Sequence, residues 1–134
     1  MIEVVNRQRR QKIVLQPWKQ MAEKMLQAIG GQHSSATIAF VSDKTIRELN
    51  NQFRGIDKAT DVLSFPAEED DNLGDIAISV DTAATQCMEN GLTLNEEIAQ
   101  LMLHGLLHLS GYDHETDNGE MNRLELKLRK QLKI

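Results

Sequence analysis

The sequence predicts an α+β fold of about four strands and about five helices. Three observations predict it. Four short strand-like segments fall within the first 79 residues, the second half reads as helix with recognisable start and stop signals, and the two kinds of segment do not strictly alternate as a doubly wound sheet requires. Residues 2–5 (IEVV) make the first strand. Pro17 can open a helix at its first position, and Trp18, Met21, Ala22, Met25, Leu26 and Ile29 recur at intervals of three and four until Gly30 and Gly31 end it. Residues 36–41 form a strand with Ile38 and Phe40 on one face. A helix over 43–53 follows, with Ile46, Leu49 and Phe53 as its apolar stripe. After a loop over 54–60, residues 62–65 (VLSF) form a strand that Pro66 stops, and residues 74–79 form another. The acidic run over 68–71 between them reads as a solvated loop.

Residues 81–90 form a helix closed by Gly91. Thr93 with Glu96 makes a capping box for a helix reaching about Leu109, with Gly111 just beyond. Asp117 with Glu120 starts the last helix, whose stripe is Met121, Leu124, Leu128 and Leu132. Lys127, Arg129, Lys130 and Lys133 sit toward its C-terminus, where the helix dipole favours cations.

The 134 residues have the length of one domain, 1–134, and their composition, 40% hydrophobic and 26% charged, excludes a disordered chain. A lone cysteine, Cys87, excludes a disulfide framework and fits a reducing cytoplasm. The N-terminus carries no signal-peptide core, and the greasiest stretch, 98–109, is interrupted by Gln100, His104 and His108 and too short to span a bilayer, so no membrane role is expected. Net charge is −5, but unevenly spread. Residues 1–66 carry 10 basic and 6 acidic side chains, residues 67–120 carry 13 acidic and none basic, and residues 121–134 carry 5 basic and 1 acidic. A basic surface is therefore possible on an acidic protein, although solvated charge alone gives the same count. Arg7, Arg9, Arg10 and Lys12 are its densest part, a candidate contact for phosphates. No aromatics are interleaved there, which argues against a base-stacking platform.

The chemistry concentrates in residues 104–114, HGLLHLSGYDH, which hold three of the four histidines. Residues four apart on a helix differ by about 40° in azimuth and roughly 6 Å in height, so His104 and His108 project from one face. Gly111 lets the chain turn and return His114 as a third ligand. Three imidazoles suit one Zn²⁺ per chain and leave a fourth position open, as catalytic zinc sites do. Asp113, Glu115 and Asp117 are candidate acceptors behind the imidazoles or simply acids at a helix entry, with Asp117 as the cap. His33 stands alone in a polar loop and reads as a surface residue.

The spacing H-x-x-x-H-x-x-G-x-x-H is also that of metzincin peptidases, which carry a general-base Glu directly after the first histidine. Here that position is Gly105, which cannot take a proton, and Glu97 lies too far back to replace it.

The same segment resembles the histidine signature of the bacterial YbeY family, metal-dependent endoribonucleases of rRNA maturation. Two further blocks agree in order: LNNQFR over 49–54 with TDVLSFP over 60–66, and LGDIAI over 73–78. Ala59 stands where the family often has proline. The resemblance implies a small mixed sheet with a zincin-like metal-site helix, zinc on His104, His108 and His114, and a functional, catalytic arginine at Arg54. It implies a single-strand-specific metallo-endoribonuclease acting in late-stage ribosome quality control and 3′-end maturation of small-subunit (16S) rRNA. Its partners are then ribosomal RNA and the ribosome or small-subunit proteins. From the residues alone, Arg54 is either a phosphate ligand or a surface arginine paired with Asp57 or Asp61. The competing readings are a zinc peptidase, disfavoured by Gly105, and a non-catalytic ribosome-assembly factor with a metal site.

Overall fold

The computed structural model describes residues 1–31, 33–69, 71–113 and 117–134. Among them run four strands, β1 (Ile2–Asn6), β2 (Ser35–Val41), β3 (Val62–Glu69) and β4 (Asn72–Ser79). Five helices accompany them: α1 (Leu15–Ile29), α2 (Asp43–Arg54), α3 (Val80–Asn90), α4 (Leu94–Leu109) and α5 (Glu120–Leu132). The sheet order is β1-β2-β4-β3, with β1, β2 and β4 parallel and β3 antiparallel along one edge. The fold is α+β with a mixed sheet, as expected.

Alternation along each strand divides the core between the two faces. Ile38, Phe40, Ile76 and Ile78 point to one face and pack with Met25 and Leu26 of α1 and with Ile98, Met102 and Leu106 of α4, all at most 2% exposed. Ala77 and Leu63 point the other way, toward Ile46 of α2. Helix α4 is the centre of the larger layer, with ten buried positions contacting α1, α3, α5, β3 and β4. The capping box that starts it is formed as read. Thr93 Oγ1 accepts from the Glu96 amide at 3.1 Å, and Glu96 Oε1 accepts from the Thr93 amide at 2.9 Å. The Thr93 amide also holds the Glu96 carboxyl below the usual carboxylate range.

Four local expectations are corrected. Helix α1 starts at Leu15, so Pro17 is its third residue and not its first. Strand β3 runs through Pro66, because an edge strand tolerates a residue without an N–H. The acidic run over 68–71 is therefore no simple loop: Glu69 pairs with Asn72 at the hairpin end. The last helix starts at Glu120 and not at Asp117, although Asp117 does serve its start, with Oδ2 accepting from the Met121 amide at 2.9 Å.

Gly74 holds the edge strand in place. Its φ is +128°, and a Cβ there would lie 2.1 Å from the Phe65 carbonyl oxygen across the β3–β4 pair. Gly91, at φ +68°, has nothing within 4 Å of a Cβ. Gly74→Ala should therefore lose about 2–4 kcal/mol of stability, strain and overlap together. Gly91→Ala should lose only about 1–2 kcal/mol from the left-handed conformation. Urea unfolding of both variants checks the difference; equal losses would mean that the β3–β4 contact yields at little cost.

Candidate active site

Helix α4 carries His104 and His108 out from under the sheet on one face. Their ring centroids are 4.7 Å apart, and the two Nε2 atoms approach to 3.1 Å. Two nitrogens bound to one tetrahedral ion at about 2.0–2.1 Å stand about 3.3 Å apart, so the pair is spaced to share an ion. The helix can seat them there because Gly105, between them, faces the sheet. A Cβ on Gly105 would lie 3.0 Å from both Cδ1 and Cγ2 of Ile76, a side chain with 1% exposure on β4. Any side chain at this position would press on Ile76 and face the sheet, away from where a metzincin-type base would act.

Behind His104 stands Glu125 of α5, a buried carboxylate whose Oε1 lies 2.9 Å from His104 Nδ1. With the carboxylate as acceptor, the imidazole would donate its Nδ1–H and turn the Nε2 lone pair toward His108. Arg129 Nη2, one turn along α5, lies 3.5 Å from Glu125 Oε2. Glu125 was missed in the sequence. Its signal was there: it falls four residues after Met121 and three before Leu128, on the stripe that the helix buries.

The C-terminus of α4 closes as the glycine suggested. Gly111, at φ +100°, donates to the His108 carbonyl at 3.1 Å, and Tyr112 donates to Leu107 at 3.1 Å, which is a Schellman ending. Tyr112 and Asp113 thereby line the same cleft as the histidines. His114 and Glu115 lie outside the described residues. Among the described residues no three His, Cys, Asp or Glu side chains form a metal-binding group; the pair His104–His108 is what is on view. Glu97 does not line this cleft. It is buried two turns earlier, with Oε1 accepting from Asn90 Nδ2 at 2.8 Å. His33 is exposed, as expected.

The cleft measures about 520 Å³ and runs across the edge strand. Asp61, Val62 and Ser64 form its floor, His104 and His108 one wall, and Arg54 the other. Arg54 occupies the last turn of α2. Neither Asp57 nor Asp61 forms an ion pair with it. Asp57 binds Arg47 in a fork, at 2.8 and 3.2 Å, and that guanidinium holds the Asp57 carboxyl below its ordinary value. Asp61 Oδ1 accepts from the Val62 amide at 2.8 Å. Among the described residues Arg54 has no ion pair, although Asp61 and Asp113 line the same cleft.

Comparison with known proteins agrees with this architecture. The family model described as Endoribonuclease YbeY matches residues 3–133. An endoribonuclease YbeY from Koribacter versatilis is 51% identical over 104 residues, covering 78% of this chain and 68% of that protein. One from Helicobacter pylori is 48% identical over 99 residues, covering 72% and 71%. The solution structure of a Thermotoga maritima protein superposes with a TM-score of 0.71 at 32% identity, covering 98% of this chain and 89% of that one. The chain belongs to the endoribonuclease YbeY family.

Proposed function

We propose that residues 1–134 act as one hydrolase domain, a metal-dependent endoribonuclease that cuts single-stranded ribosomal RNA with one zinc ion per chain. The observation that carries the reading is the meeting of two Nε2 atoms 3.1 Å apart with an unpaired guanidinium across one cleft. His104 and His108 would hold the ion with His114 as third ligand, and three imidazoles favour zinc over magnesium or calcium, which prefer oxygen. When bound, the ion supplies a polarised phosphoryl oxygen and a water of near-neutral pKa. The protein's own residues do the rest. Glu125 fixes the His104 ring and its tautomer. Arg54 takes two phosphate oxygens in its N–H fork and neutralises charge as it grows on them in the transition state. Family membership lends nothing to the peptidase or the purely structural reading.

The basic loop after β1 supports an RNA partner. Arg7, Arg9 and Lys12 are exposed, and Arg10, 81% exposed, only grazes Asp81 at 3.8 Å. Such a loop contacts phosphates without reading sequence, so the choice of the 16S 3′ end falls to RNA shape and to ribosomal or small-subunit proteins. A buried, reduced Cys87 suits a cytoplasmic setting, and among the described residues no helix is long and apolar enough to cross a membrane.

Two outcomes test the reading. Metal analysis should find one zinc per wild-type chain, none in His108→Ala, and in Glu125→Gln an affinity lower by about 10–100-fold. Full zinc occupancy in His108→Ala would remove the site. In single-turnover cleavage of a single-stranded RNA, Arg54→Ala should slow the reaction about 10²–10³-fold with zinc content unchanged, and Arg54→Lys should recover only part of the loss. Wild-type rates in both variants would leave Arg54 a surface residue.

A further inference from the structure

Phe53 is one of several large apolar residues left exposed, and the one beside the cleft's cation. The α2 stripe predicted it inside with Ile46 and Leu49; instead Ile46 is fully buried and Phe53 is 60% exposed. Among the described residues its ring makes one aromatic contact, an edge-on approach to Phe65 of β3 at 5.1 Å and 61°. A T-shaped contact fixes the ring while leaving most of it in water. Single exposed apolar residues are ordinary and need no function. This one differs in its neighbours: it directly precedes Arg54, the cation of the cleft, and Ile56 just beyond is also 39% exposed. The loop that follows is pinned to α2, by Asn50 Nδ2 donating to the Lys58 carbonyl at 3.0 Å and by the Arg47–Asp57 fork. The aromatic surface is therefore displayed on a braced element.

Resting on the nuclease reading above, we propose that Phe53 is a substrate-specificity residue, stacking one nucleobase of the RNA strand whose phosphate is held by Arg54. The charges around the groove choose this direction for the strand. On the far side of His104 the groove is lined by four carboxylates, Asp61, Glu89, Glu97 and Glu125, against one cation, Arg129, a balance that disfavours a phosphate backbone. The near side is less acidic, with Arg54 against Asp61 and Asp113, and the exposed ring of Phe53 directly precedes Arg54 in the chain. Adjacent residues on a helix project about 100° apart from Cα atoms about 3.8 Å apart, so a phosphate on one and a base on the other is within the reach of one or two nucleotides. A base can meet the ring only when it is unstacked from its neighbours, which selects single strands, and every base has a π-face, so little sequence is read.

The test uses the zinc-loaded chain, a fluorescein-labelled single-stranded RNA octamer, and a set of octamers each with one abasic position. Anisotropy just after mixing gives binding, and the later time course gives cleavage. Phe53→Leu should weaken binding about tenfold with the maximal cleavage rate within about threefold, and Phe53→Trp should bind like wild type. One abasic position should cost wild type about the same factor and cost Phe53→Leu almost nothing, since the partner of the missing base is already gone. Unchanged binding by Phe53→Leu, equal abasic losses in both proteins, or a Phe53→Trp as weak as Phe53→Leu would each overturn the proposal. A wild-type chain that binds in this Phe53-dependent way without cutting would sink the nuclease reading and leave the base contact standing.

Discussion

The contact on which the structure depends is the seat of α4 on β4, where Gly105 lies against Ile76. Helix α4 is buried on nearly every side, and its approach to the sheet is limited by whatever occupies position 105. Glycine in a helix interior costs about 1 kcal/mol relative to alanine. Here that cost is offset by the close packing it permits, because each fully buried Leu, Ile or Met around the seat contributes roughly 1.5–3 kcal/mol. The seat has a chemical consequence as well. With position 105 turned into the sheet, positions 104 and 108 turn toward the cleft, and their spacing follows from the helix alone. Gly105 thus separates this site from a metzincin site twice, by lacking a carboxylate and by packing tightly against Ile76 of the sheet.

The other elements refine what α4 begins. Helix α5 contributes little area but brings a buried carboxylate to the back of His104, with Arg129 beside it to lessen the cost of burying the charge. Strand β3, held by Gly74, supplies the cleft floor between the histidine wall and Arg54. Helix α2 reaches that cleft from the opposite face of the sheet, so the guanidinium and the imidazoles come from separate layers and meet over the edge strand. The beginnings of α2 and α3 are tied together by two carboxylates, and Asp81 Oδ2 accepts from the Asp43 amide at 2.9 Å. Asp43 Oδ1 accepts from Ser79 Oγ at 2.6 Å and from Thr82 Oγ1 at 2.5 Å. This tie links the layers whose far ends define the cleft.

The sequence was informative wherever the physics is local. Helical periodicity, the Thr93–Glu96 box and the glycines after helices each report a few neighbouring residues, and all nine elements were recognised from such signals. Four spacing on a helix likewise placed His104 and His108 together. What could not be read depends on distant parts of the chain. Pro66 stops a central strand but not an edge strand, and edge position is a property of the whole sheet. Phe53 has the periodicity of a core residue, yet it meets the edge strand, through Phe65, and most of it stays exposed. The pairing of Asp57 with Arg47, which leaves Arg54 to the cleft, depends on how one loop folds back. Glu125 is the instructive miss: a charged residue on an apolar stripe marks a buried partner, and its partner lies 21 residues away.

The central claim is that the seat of α4 aims two imidazoles at one ion in the cleft shared with Arg54. Anomalous diffraction at the zinc edge, from crystals of the zinc-loaded chain, tests it most directly. One strong peak per chain is expected, within about 2.1 Å of Nε2 of both His104 and His108, with His114 completing the protein ligands. A zinc-loaded crystal whose peak lies elsewhere, or touches only one of these two rings, would contradict it.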